Sequence, residues 1–194
     1  MLRLEVDGLA CRRGGRVLFT DLTFTAQAGD LVCVRGANGS GKTSLLRLIV
    51  GLGLPEAGEV RWSGSSLHSD VAWIGHVEGM KLDLTPRENL EFHRALVSGS
   101  RDVTAALEAC GVTSEADTPC RELSAGQRRR SALARLLVSD APLWILDEPL
   151  TALDVEGQEM VQDMIAEHGK KGGIAVVTSH QAFRGLIPKL ELSL

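Results

Sequence analysis

The eight residues GANGSGKT, 36–43, constrain this 194-residue chain more than any other stretch. They match the spacing G-x-x-x-x-G-K-[ST] in full, and the flanks supply the context that the spacing needs. LVCV (31–34), before the loop, is a short, continuously apolar run, the pattern of a strand buried on both faces of a parallel sheet. SLLRLIVGL (44–52), after it, carries Leu45, Leu48, Ile49 and Leu52 at helical spacing, with Gly51 or Gly53 placed to end the helix. Strand, glycine-rich turn and helix start together make a phosphate cradle. Gly36, Gly39 and Gly41 let the backbone of Gly36, Ala37, Asn38, Gly39, Ser40 and Gly41 curl, so that its amides point inward at phosphate oxygens. Lys42 reaches the β- and γ-phosphates, the Thr43 hydroxyl takes a place on Mg²⁺, and the helix dipole adds attraction.

A loop of this kind needs an acid at the end of a buried strand to hold Mg²⁺. LWILDE (143–148) supplies it, with four apolar residues and then Asp147. Glu148 follows at the same sheet edge, where a carboxylate orients and polarises an attacking water. A small-molecule kinase keeps water out and has no use for such an acid, so Glu148 favours hydrolysis. The strand GIAVVTSH (173–180) delivers His180 to the carboxyl end of the sheet, where ligands of open α/β sheets gather. His180 is placed there to hydrogen-bond the γ-phosphate or the attacking water.

The remaining pattern is one of strands alternating with helices, which predicts an α/β chain built on a parallel sheet. LRLEV (2–6) alternates and reads as an edge-type strand; a second alternating run lies within 16–30. GEVRWSG (58–64) and VAWIG (71–75) read as short strands, and KLELSL (189–194) as a final edge strand. TPRENLEFHRALV (85–97) is a helix with Thr85 as N-cap, Pro86 in its first turn and Glu88 completing a capping box. A second helix runs from about Asp102 to Cys110 and closes at Gly111, so residues of about 78–120 form a helical insertion between strands. Residues 155–168 carry a further helical pattern.

Composition bounds the rest. A length of 194 residues fits one domain, and 44% hydrophobic with 24% charged residues is ordinary for a globular chain. A net charge of −4 lacks the basic excess that nucleic-acid binding uses, so no nucleic-acid partner is expected. Cys11, Cys33, Cys110 and Cys120 have no C-x-x-C spacing; Cys33, in an apolar run, and Cys110, near the end of a helix pattern, read as small core residues, and a reducing, cytoplasmic compartment is expected. Glu5 and Asp7 interrupt the apolar N-terminus, so no signal peptide is expected there. The most apolar stretch, LLRLIVGLGL (45–54), is short and contains Arg47, so no direct membrane span is expected.

CRELSAGQRRRS (120–131) is a second candidate phosphate site. Ser124 and Gln127 form a capping box, Gly126 leaves amides uncovered, and Arg128, Arg129 and Arg130 add charge, although helical spacing turns some of them to solvent or to the insertion. The order is then phosphate loop, helical insertion, LSAGQ (123–127), ILDEP (145–149), LTALD (150–154) and a strand ending in His180. In that order the chain resembles the ATP-binding-cassette ATPases over nearly its whole length. LSAGQ differs from the commonest family form, LSGGQ, only at Ala125. The resemblance implies a P-loop NTPase fold: one domain over 1–194, with a RecA-like parallel-sheet core, a small antiparallel β region and an inserted helical subdomain of about 78–135. It implies that Lys42 and Thr43 bind ATP and Mg²⁺, that Asp147 is the metal-linked acid, Glu148 the general base and His180 the switch histidine, and that Asp154 lies in a loop crossing a dimer interface. It also implies a homodimer of ATPase subunits that buries two ATP molecules, Ser124, Gly126 and Gln127 of one subunit meeting the γ-phosphate held by the loop of the other.

Two departures narrow the resemblance. By spacing back from LTPRENL, His76 takes the place of the family's usual Mg²⁺-contacting Gln. Where the family stacks an aromatic on adenine, this chain has Cys11, Arg12 and Arg13, and a guanidinium can stack on a base. With GHVEGMK, APLWILDEP and GGIAVVTSHQ, these features resemble the haem-exporter ATPases of cytochrome c maturation, although Val77 stands where that subfamily has Gln. That implies a peripheral subunit on the cytoplasmic face of a bacterial inner membrane, powering a CcmB-type integral membrane subunit, with CcmC and CcmD types as further partners. The residues alone leave open an ABC ATPase of another export or cell-envelope complex, or a soluble non-transport ABC ATPase. Cys-x-x-Cys-His is absent, so this subunit is not expected to bind haem tightly itself.

Overall fold

A computed structural model describes residues 2–97, 99–181, 183 and 185–194. Arg3–Arg13 (β1) and Arg16–Gln27 (β2) form an antiparallel hairpin. Gly14 and Gly15 close it with φ of 53° and 79°, the doubly left-handed turn that matches strand twist and that glycine adopts without strain. Ala57–Trp62 (β4) pairs with the other side of β1, giving the order β2-β1-β4. LRLEV is therefore the start of a central strand, not an edge strand. Its alternation correctly marks one buried face, Leu4 and Val6, but a central antiparallel strand with one solvated face shows the same period.

The second sheet is five-stranded and parallel. Leu31–Arg35 (β3), Val71–Ile74 (β5), Leu143–Asp147 (β6), Ile174–Thr178 (β7) and Leu190–Ser193 (β8) lie in the order β5-β6-β7-β3-β8. β8 is the expected edge strand. The continuous apolar runs resolve into two faces. Val32, Val34, Leu143, Ile145, Ile174 and Val176 pack into one core with Leu45, Leu46, Leu48 and Ile49 of helix α1 (Lys42–Ile49) and with Leu4, Val6 and Phe24 of the antiparallel sheet. Leu31, Trp144, Leu146, Ala175 and Val177 face the other core. Period-2 alternation thus persists in strands that look uniformly apolar, because both faces are covered.

A one-turn helix, Leu67–Asp70 (α2), leads into β5. Between β5 and β6 the chain forms Pro86–Leu96 (α3), Val103–Ala109 (α4), a 3₁₀ turn at Cys120–Glu122 and Ala125–Val138 (α5). These helices, with Val155–Lys170 (α6), line the second core through Leu90, Leu107, Leu133, Leu136 and Val161. The cap signals predicted from sequence are present. Thr85 and Glu88 exchange hydrogen bonds in one capping box, and Ser124 and Gln127 form the second. A cap not singled out from the sequence is Asp102, whose side chain accepts from the Ala105 amide. Cys11, Cys33, Cys110 and Cys120 are unpaired and buried. Among the described residues no helix is long and apolar enough to cross a membrane.

Candidate active site

The parallel sheet brings four strand ends to one edge. Its register aligns Val34 with Thr178, Thr178 with Asp147, and Leu146 with Ile74. Because β7 lies between β3 and β6, the segment Thr178–His180 leaves the sheet between the strand that feeds the phosphate loop and the strand that ends in Asp147. A cleft of about 460 Å³ opens over this edge. Lys42, Thr43, Asp147, Glu148 and His180 all line it, as do Asn38, Gly39 and Gly41 of the loop. His76, carried past the end of β5, reaches the same cleft.

The loop's shape follows from its glycines. Gly36 has φ 154°, and a Cβ there would lie 2.5 Å from Ser40 Oγ and 2.6 Å from the Leu194 carbonyl oxygen. Only glycine fits. Ser40 Oγ is buried without a hydrogen-bond partner among the described residues. Helix α1 starts at Gly41 with no side-chain cap, whereas α3, α4, α5 and α6 are capped by Thr85, Asp102, Ser124 and Asp154. The first-turn amides of α1 thus face the cleft without a side-chain acceptor, the arrangement that suits an anion. Lys42, only 7% exposed, donates to the carbonyls of Gly36 (2.8 Å) and Ala37 (3.3 Å). Its Nζ is 3.1 Å from His180 Nε2 and 3.9 Å from Glu148 Oε1.

Asp147 and Glu148 are held differently. Asp147 is 2% exposed and fully engaged: Oδ2 accepts from the Thr43 hydroxyl and Oδ1 from the Thr178 hydroxyl, both at 2.7 Å. Thr178 in turn accepts from the Glu148 amide at 2.8 Å. Glu148 sits at φ +48°, a left-handed conformation costing about 1 kcal/mol outside glycine. That turn swings its carboxylate into the cleft, where Oε2 accepts from the His180 amide (3.3 Å) and Oε1 lies 3.3 Å from His180 Nε2. Oε1 is buried with no aligned donor among the described residues, so it retains acceptor capacity for a water or substrate proton. Among the described residues no three His, Cys, Asp or Glu gather to hold a metal. A divalent cation here would lean on the Thr43 hydroxyl, the Asp147 carboxylate and substrate phosphates, a donor set that suits Mg²⁺.

Ser124, Gly126 and Gln127 are not brought to this cleft. They line a separate one, also of about 460 Å³, with Glu115, Arg130 and Asp154. Gln127 is committed within the chain: Oε1 accepts from the Ser124 amide and Nε2 donates to Glu115, each at 2.9 Å. The three arginines do not form an open positive patch. Arg128 donates to the Leu123 carbonyl, Arg130 bonds the Cys110 carbonyl at 3.4 Å and Asp154 at 2.8 Å, and Arg129 is 3% exposed inside the protein. Of the basic pair at 12 and 13, Arg12 is bound to Glu56 at 2.9 Å and Arg13 lines the phosphate-loop cleft beside Leu18. Sequence reasoning missed Thr178, whose signal was a lone hydroxyl closing the apolar run IAVVT. It also missed the inward turn of Arg129, which shares a helical stripe with Ala132, Leu133 and Leu136.

Comparison with known proteins agrees with this geometry. The profile of the "ABC transporter" family matches residues 19–151. A "Cytochrome c biogenesis ATP-binding export protein CcmA" of Nitrosococcus oceani is 49% identical over 93% of this chain and 87% of its own. That of Methylococcus capsulatus is 46% identical over 98% of each, and that of Escherichia coli K12 is 46% identical over 92% of this chain and 89% of its own. Among solved structures, a putative ABC transporter ATP-binding protein from Pyrococcus furiosus superposes with TM-score 0.87 at 25% identity, covering 99% of this chain and 97% of that one. The family match over 19–151, with relatives of 46–49% identity covered over most of their length, shows that this chain belongs to the ABC transporter family of ATP-binding subunits.

Proposed function

We propose that this chain is the ATP-hydrolysing subunit of a haem-export or cytochrome c maturation complex, seated peripherally on the cytoplasmic face of a bacterial inner membrane. The observation that carries the hydrolytic part is the gathering of Lys42, the Thr43–Asp147 pair, Glu148 and His180 at one sheet edge, with Glu148 Oε1 free to accept a proton. The amides of 36–43 and Lys42 bind the phosphates of ATP. Thr43 and Asp147 would hold Mg²⁺, which supplies charge neutralisation on the β- and γ-oxygens. Glu148 accepts a proton from water as the water oxygen bonds the γ-phosphorus and the bond to the bridging β-oxygen breaks, leaving ADP and phosphate. His180 hydrogen-bonds the γ-phosphate or the water, and Arg13 lies where a base can stack.

The separate placement of Ser124, Gly126 and Gln127 favours a shared site. Two copies meeting head to tail would close each phosphate-loop cleft with the other's LSAGQ helix, and that closure powers a CcmB-type membrane subunit with CcmC and CcmD types beside it. The cytochrome c maturation and export part is supported by the names of relatives at 43–49% identity, and the haem part by the resemblance carried by His76, GHVEGMK and GGIAVVTSHQ. Copurification from detergent-solubilised membranes, with c-type cytochromes assayed in a deletion strain, tests it. A CcmB-type partner and loss of holocytochrome c are expected; a different membrane partner with normal cytochromes would overturn the assignment while leaving the ATPase intact.

A further inference from the structure

Arg129 is the one arginine of the run 128–130 that enters the protein interior. Its Nη1 donates to the Gly75 carbonyl at 3.0 Å. Its Nη2 donates to the carbonyls of Asp147 (3.0 Å) and Glu148 (2.9 Å). One planar guanidinium thus binds the ends of both β5 and β6 from inside α5. Its Nε finds no acceptor among the described residues, and burial works against its charge, offset by Glu78, Asp147 and Glu148 at longer range. A buried charge that could be replaced by an apolar side chain is rarely kept for stability alone. The bonds it makes are also selective: they fall on the two carbonyls flanking the left-handed turn at Glu148.

A second arginine of the same helix extends the contact. Arg135 donates to the carbonyls of Glu78 (2.5 Å) and Gly79 (3.3 Å). Together the two arginines pin both ends of segment 75–79, which carries His76 into the cleft.

We propose that Arg129 is a positioning residue for hydrolysis: it fixes the Asp147 and Glu148 carbonyls so that the strained turn aims the Glu148 carboxylate at the reacting water, and it ties that turn to the His76 segment. This rests on the reading of Glu148 as the base. The link gives the LSAGQ helix a route to the base that does not pass through nucleotide. When α5 moves, the fork must carry 75, 147 and 148 with it or lose bonds to buried carbonyls. Lysine keeps the charge but lacks the fork, so it cannot serve all three carbonyls in the same geometry.

The test compares the purified full chain with Arg129→Lys, Arg129→Gln, Glu148→Gln and the double variant Arg129→Lys/Glu148→Gln, measuring kcat, KM, ATP affinity, thermal midpoint and ATP-induced dimerisation. Arg129→Lys is expected to lower kcat about tenfold, with ATP affinity within about twofold of wild type and an unchanged midpoint. Like Glu148→Gln, it should accumulate an ATP-bound dimer, and it should add no further loss in the double variant. If Arg129→Gln does not fold, Arg129→Lys still decides the matter. A kcat within twofold of wild type for Arg129→Lys, or a loss matched by lost ATP binding or added to that of Glu148→Gln, would overturn the proposal. Normal turnover by Glu148→Gln would instead overturn the reading of the base.

Discussion

Single residues at the two ends of the parallel sheet do different work. At the carboxyl end, Thr178 bridges Asp147 and the Glu148 amide, so the two acids share one anchor. At the amino end, Trp144 stacks on His168 with ring centroids 3.9 Å apart and planes 10° from parallel. A Cβ on Gly173 would come within 2.2 Å of the His168 ring, so the imidazole occupies that space fully. Burial pushes His168 down to about 4, against hydrogen bonds to Ile174 and Pro142 that favour its charge. Above about pH 6.5 the ring is neutral in both folded and unfolded chains and has no effect on the balance. Between pH 6.5 and 4 the unfolded chain takes up the proton and the folded one does not, so stability falls as pH falls and levels off below 4. The full cost, reached below pH 4, is on the order of 3 kcal/mol. Urea unfolding at pH 7 and 4.5 should show a smaller acid loss for His168→Phe, which keeps the stack, than for wild type; equal losses would contradict the assignment.

The elements show what a sequence can and cannot carry. Helix α5 was legible because its start is local: the Ser124–Gln127 box needs only four consecutive residues. The phosphate loop was legible for the same reason, with strand, glycines and helix contiguous. The acid pair was legible because an apolar run must end somewhere polar. β1 was misjudged because its neighbour on one side, β4, is over forty residues away in sequence and leaves no mark on the alternation of LRLEV. Arg129 was hidden in a run of like charges: 100° steps spread the three around the helix without saying which faces inward, and the carbonyls awaiting Arg129 lie at the ends of β5 and β6. Helix α5 also yields a prediction. Ser124→Arg places a bulky cation on the cleft shared by Gly126 and Gln127 without touching the phosphate-loop cleft. ATP affinity should stay within about threefold of wild type while turnover falls at least about a hundredfold, the scale lost with a positioned group. Full turnover would show that the LSAGQ helix takes no part in hydrolysis.

At the scale of the whole molecule, the phosphate-loop cleft and the LSAGQ cleft are of similar size and have no lining residue in common. One holds an uncapped helix start, a lysine and an acid with acceptor capacity. The other holds a capped helix start and the loop of Asp154, whose carboxylate is bound by Arg130 and caps α6. Neither is a complete enclosure for a triphosphate, and one chain cannot fold the second onto the first without breaking the core that joins α5 to the sheet. A second copy can. Mass measurement of Glu148→Gln by light scattering, with and without ATP, tests this most directly. The account predicts a monomer that doubles in mass on ATP addition, retains one ATP per chain, and fails to double when Ser124→Arg is added. A Glu148→Gln chain that binds ATP and stays monomeric at saturating nucleotide would contradict it.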